Sequence, residues 1–145
     1  MSYWDTSALS KLYVPEPDST DFVQKAASES VIFSARLALY EMRRVAFRKE
    51  STGLIPPGTA DGVLAQVDQD ITAGEIRIVE LDSHIEAEFN AVMAACYRRT
   101  PTLPIRTFDA LHLASARVSG ETEIVATDNR LRDAAKLLGF SLFPV

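Results

Sequence analysis

Short apolar segments alternate with long stretches of helical periodicity along the whole chain. Strand candidates are Ser2–Trp4, Val31–Phe33, Ile76–Leu81, Glu123–Ala126 and Ser141–Phe143. Between them, Asp18–Glu29, Ser34–Glu50, Pro57–Thr72, Asp82–Arg99, Thr107–Val118 and Asn129–Leu138 carry apolar residues at helical spacing. Strands separated by helices of this length indicate an α/β fold, a mostly parallel sheet covered on both faces. "YVPEPDS" and "GLIPPGT" read as turns between helices, and Gly139 stands where a cap would end the last helix.

The 145 residues suit one domain spanning 1–145, with no repeat or linker to divide it. No apolar run reaches the roughly 20 residues that cross a bilayer, and the N-terminus lacks the regions of a signal peptide. The expectation is a cytoplasmic protein. The single cysteine, Cys96, excludes an internal disulfide and a cysteine-based zinc site, and reads as a packed small side chain. A net charge of −5 argues against a strongly electrostatic nucleic-acid binder. It leaves nucleic acid open as a substrate, because the basic residues are bunched, with Arg43, Arg44, Arg48 and Lys49 in one cluster.

In parallel sheets, sites form beyond the carboxyl ends of the strands. Asp5 lies at the end of the first strand in "SYWDTSAL", and Asp128 likewise stands between strand and helix beside a hydroxyl residue in "IVATDNRL". Either residue alone would serve as a helix N-cap, and Asp109, in the first turn of "TFDALHLA", would suit the helix dipole. Glu41 is different: on a helix from Ser34 it falls between Leu37, Ala38 and Val45, at the border of the apolar stripe. A carboxylate there must find a partner, and Arg44 one turn on would supply one. Together the four acids make a stronger pattern. Converging on one sheet edge, they would repel one another and call for a cation. Hard oxygen ligands suit Mg²⁺ or Mn²⁺, which can activate water and neutralise charge on a phosphate.

"YWDTSAL", "YEMRR", "DALHLASA" and "VATDNRLRDAAKLLGF" together resemble the acidic blocks of PIN-domain ribonucleases, in order from Tyr3 to Phe140. Length and spacing are most similar to the VapC toxins of bacterial toxin–antitoxin pairs. The resemblance implies a three-layer α/β/α sandwich around a short sheet, Mg²⁺-dependent RNA cleavage, and inhibition by a VapB-type antitoxin. It puts the family's acids on Asp5, Glu41, Asp109 and Asp128, as metal ligands and catalytic groups. Ser7 and Thr127 match hydroxyl positions that help hold such sites. The resemblance also implies a homodimer, and an exposed apolar groove around Leu9, Leu12 and Tyr13 is expected to take the partner.

Other residues invite roles that their context tempers. His112 is expected to pack or to support the site from one turn beyond Asp109, and Trp4 to be a strand residue and not a base-stacking one. Arg43, Arg44 and Arg106 are candidates for a basic rim that holds the RNA backbone. Two alternatives belong to other classes. A phospho-acceptor signalling domain would need paired acids after the first strand, where only Asp5 stands, and a lysine near "FSLFPV", which has none. A non-catalytic PIN-like binding module would have no need of all four acids.

Overall fold

The computed structural model describes all residues, Met1–Val145. Strand β1 (Ser2–Trp4) leads into a one-turn helix α1 (Thr6–Leu9), then a 3₁₀ turn and α2 (Ser19–Ala27). β2 (Ile32–Ala35), α3 (Arg36–Ser51), α4 (Thr59–Thr72), β3 (Ile76–Val79), α5 (Ser83–Tyr97) and α6 (Thr107–Ser119) follow. β4 (Glu123–Val125), α7 (Asn129–Leu137) and β5 (Ser141–Phe143) complete the chain. The strands form one five-stranded sheet in the order β3-β2-β1-β4-β5, and every pairing in it is parallel.

Alternation along β1 divides the core. Tyr3 packs on one face of the sheet with Val92, Leu113 and Leu131 from α5, α6 and α7. Trp4 packs on the other with Leu9, Phe22, Met42 and Val67 from α1 to α4. Both aromatic residues are fully buried, so the three-layer α/β/α sandwich rests on the period-two pattern of a three-residue strand. Replacing either by alanine would cost about 3–5 kcal/mol. Cys96 is buried in the first of these clusters as a free thiol.

Several element boundaries differ from the sequence pattern by one or two residues, most clearly at β2 and β3. Ser34 and Ala35, expected at the start of the helix Ser34–Glu50, extend β2. Ser34 donates its hydroxyl to the carbonyl of Trp4 at 2.7 Å, and Ala35 pairs with Val79 in β3. Conversely, β3 ends at Val79, short of Leu81. Gly139 stops the chain after α7 in a left-handed conformation, φ +88°, where a side chain would be strained.

The strand order fixes where a site can form. From β1 the chain winds outward through β2 and β3, then crosses back to lay β4 on the other flank of β1. The crevice beyond the carboxyl ends of β1 and β4 is therefore the topological switch point. Asp5 follows β1 directly, and Asp128 lies three residues beyond β4. No helix is long and apolar enough to cross a membrane.

Candidate active site

A cleft of about 380 Å³ opens at that switch point. It is lined by Asp5, Glu41, Asp109 and Asp128, with Arg44, Arg106 and His112 among them. Four acids separated by as many as 123 positions in sequence thus face one space, brought there by α1, α3, α6 and α7.

Capping and site-lining turn out to be one arrangement. Asp5 caps α1, its Oδ1 accepting the amide of Ala8 at 2.9 Å. Ser7 Oγ lies 2.7 and 2.8 Å from the two Asp5 oxygens and donates to that carboxylate. Asp128 caps α7 through Oδ1 alone, taking the amides of Arg130 and Leu131 at 2.9 and 3.1 Å. Its Oδ2 is 3.7 Å from the Arg106 guanidinium. In both residues Oδ1 serves a helix, while Asp5 Oδ2 lies by the Ser7 hydroxyl and Asp128 Oδ2 by Arg106, and both residues line the cleft. The helix-cap explanation and the ligand explanation do not compete.

Thr127 contributes differently from expectation. Its backbone N–H donates to Ser7 Oγ at 3.1 Å, so the peptide, not the hydroxyl, braces the serine that holds Asp5. Any residue other than proline would supply that donor.

Glu41 is half-buried, and its partner is not Arg44. Glu41 Oε1 accepts from Thr6 Oγ1 at 2.7 Å and lies 2.6 Å from His112 Nε2. Burial alone would raise the Glu41 pKa, but the hydrogen bonds from His112 and Thr6 outweigh it and hold the carboxyl below its ordinary value. Asp5 shifts the other way. It is 4% exposed, and burial raises its pKa against the hydrogen bonds from Ser7 and the Ala8 amide, with Glu41 adding a further push upward.

The basic residues divide unequally. Arg44 lines the cleft. Arg43 turns back on its own helix, donating to the Leu39 carbonyl at 3.0 Å, so half of the expected arginine pair is absent from the cleft. Arg106 reaches the acids themselves, with Nε 3.4 Å from Asp109 Oδ2 and its other arm near Asp128. Phe108, exposed beside Asp109, stands at the mouth of the cleft. Thr6 and Tyr3 are the contributors that sequence pattern did not single out. Trp4 is buried, its indole N–H donating to Ser2 Oγ at 2.9 Å, out of reach of any base.

The four acids that line the cleft offer carboxylate oxygens, which fit a hard divalent ion. As the side chains stand, no three acidic, imidazole or thiol groups are gathered closely enough to form a coordination shell. Arg106 supplies positive charge between two of the acids instead.

The chain is similar to known proteins along nearly its whole length. Residues 2–137 match the PIN domain family. The chain is 33% identical over 149 aligned positions to Ribonuclease VapC35 of Mycobacterium tuberculosis, covering 98% of this chain and 95% of that protein. The structure of FitAcB from Neisseria gonorrhoeae superposes with a TM-score of 0.71 at 21% identity, covering 99% of this chain and 96% of that one. Mycobacterium tuberculosis VapC20, a sarcin–ricin loop cleaving toxin, gives 0.68 at 17% identity, with 92% and 95% coverage. At these identities the two structural likenesses speak to the fold.

Proposed function

Because the chain belongs to the PIN domain family, in its VapC branch, we propose that it is a metal-dependent endoribonuclease and the toxin of a toxin–antitoxin pair. The observation that carries this reading is the meeting of Asp5, Glu41, Asp109 and Asp128 at the switch-point cleft. A binding module would have no need of that convergence. The single acid after β1 also leaves a phospho-acceptor domain without its paired carboxylates.

Asp5, Glu41, Asp109 and Asp128 would hold Mg²⁺ or Mn²⁺ through their carboxylate oxygens. Bound there, the ion would acidify a water and offset charge developing on the phosphate. The protein's own carboxylates orient the attacking water and accept its proton. Arg44 and Arg106 hold the RNA backbone at the cleft, offsetting an otherwise acidic surface. Attack by water leaves a 5′-phosphate on the downstream fragment and makes no use of the 2′-hydroxyl.

The antitoxin reading is supported by a second hollow of about 450 Å³, lined by Leu12 and Tyr13 of the 3₁₀ region with Val23 and Ala26 of α2. Leu9, expected to share it, is fully buried beneath. We place a VapB-type antitoxin segment there and expect the toxin to act in the cytoplasm as a homodimer. Sedimentation across the micromolar range tests the dimer, and a strict monomer would contradict it.

End analysis of cleaved RNA tests the reaction. With Mg²⁺ the products should carry 5′-phosphates, and a 2′-deoxy substitution at the scissile position should still be cleaved. Absence of cleavage, or 2′,3′-cyclic phosphate ends, would overturn the assignment.

A further inference from the structure

Behind Glu41 runs a buried chain of polar groups that the reaction as described does not use. Tyr3 is fully buried on β1, and its hydroxyl lies 2.7 Å from His112 Nδ1. The other ring nitrogen, Nε2, lies 2.6 Å from Glu41 Oε1. His112 itself is 3% exposed. Thr6 Oγ1 donates to the same carboxylate oxygen and lies 3.3 Å from Nε2. Glu41 Oε2 has no hydrogen-bond partner, and the residue lines the cleft.

A buried phenol needs a hydrogen-bond partner. The phenol has a proton to give, and Nδ1, 2.7 Å away, is placed to take it. An imidazole that accepts at Nδ1 carries its proton on Nε2, and that N–H faces Glu41. Two donors then converge on Oε1, and Oε2 is left for the cleft.

We propose that Tyr3 and His112 are positioning residues. Tyr3 fixes the histidine as its Nε2–H tautomer, and His112 with Thr6 immobilises one oxygen of Glu41 so that the other faces a cation or water. The relay sets the identity of the free oxygen, as helix capping does for Asp128. Its kinetic consequence rests on the ribonuclease reading. Its structural consequence does not.

The test uses the full chain and three readouts. ¹⁵N–¹H spectra of the His112 ring at neutral pH should show the neutral Nε2–H form in the wild type. Tyr3→Phe should abolish that single-tautomer signature and weaken Mn²⁺ binding in calorimetry by roughly 10–100-fold, the usual scale for groups behind a metal ligand. The kcat for RNA should fall by a similar factor, with KM little changed. His112→Gln, whose amide can donate where Nε2–H does, should retain more Mn²⁺ affinity than His112→Asn. That pair carries the test if Tyr3→Phe does not fold. A wild-type imidazole protonated at Nδ1, or as the imidazolium, would overturn the proposal. So would unchanged Mn²⁺ affinity in a folded Tyr3→Phe, or equal affinities for the Gln and Asn variants. If the spectra and Mn²⁺ affinities behave as stated but the wild type cleaves no RNA, the ribonuclease reading fails and the relay stands.

Discussion

Arg106 Nε stands 3.4 Å from Asp109 Oδ2, one helical turn along α6, at the mouth of the acidic cleft. The other arm of the guanidinium lies 3.7 Å from Asp128 Oδ2. Arg106 thereby serves the metal-free protein as an internal counter-charge, besides its place on the expected RNA path.

The two duties separate in Arg106→Gln. Loss of the guanidinium removes a competitor for two of the acids, so Mn²⁺ should bind more tightly. Exposed ion pairs are worth about 0.2–1 kcal/mol, so the gain should be roughly 1.4- to 5-fold. RNA binding should weaken in the same variant. Calorimetry with Mn²⁺ checks the first effect, and looser Mn²⁺ binding would show that Arg106 organises the acids instead of competing for them.

Electrostatic strain from clustered acids falls on Asp5. Asp109 has Arg106 beside it, whereas Asp5 is buried and its pKa is raised, first by desolvation. An acid whose folded pKa lies above its unfolded value loses stability as pH rises through the folded pKa. Asp5→Asn should therefore raise the melting temperature in EDTA at neutral pH, with the advantage vanishing in acid. Asparagine keeps the cap on α1. An unchanged or lowered melting temperature at neutral pH would mean that the buried charge is fully compensated.

Glu16 gives the opposite sign. It accepts from Lys49 at 2.7 Å and pairs with Lys11, and these hydrogen bonds, that of Lys11 foremost, hold its pKa below the ordinary 4.5. Its contribution is present above the unfolded pKa and is lost as pH falls through the lower folded one. Glu16→Gln should lower the melting temperature at neutral pH and flatten its decline in that acid window. A variant curve parallel to the wild type throughout would show the network to be inert.

Arg44 and Arg43 should behave differently despite adjacency. Arg44→Gln should raise KM for RNA and reduce the salt dependence of binding by about one unit of log K per log salt. Arg43→Gln should change neither, since its guanidinium is bound to the Leu39 carbonyl. Equal effects would place the RNA along the outer face of α3.

Local pattern made much of this legible. Asp5 and Asp128 each stand between a strand and a helix with a hydroxyl residue adjacent, a signature that carries both the cap and the site. Glu41 betrayed itself by bordering an apolar stripe. Its partners did not, because His112 lies 71 positions away and Thr6 lies 35 away, distances at which only the fold decides who meets whom. The nearer Arg44 was the natural choice by helix spacing, yet a buried histidine on the facing helix took the contact. Tyr3 resembles an ordinary strand aromatic, and nothing in its neighbours announces that its hydroxyl reaches His112. The β2–α3 boundary moved for a similar reason. Ser34 and Ala35 fit a helical pattern, but pairing with β3 claims both, and the Ser34 hydroxyl bonds the Trp4 carbonyl on the other flank.

The most direct test of the central claim is cleavage of one RNA substrate by the wild type and by Asp5→Asn, Glu41→Gln, Asp109→Asn and Asp128→Asn. It is run with Mg²⁺ and again in EDTA, with folding checked by circular dichroism. The account expects cleavage by the wild type only with Mg²⁺, and a loss of roughly 100-fold or more in kcat for each variant, comparable to removing one preorganised electrostatic group. Wild-type cleavage that persists undiminished in EDTA, or four folded variants that all cleave at the wild-type rate, would contradict it.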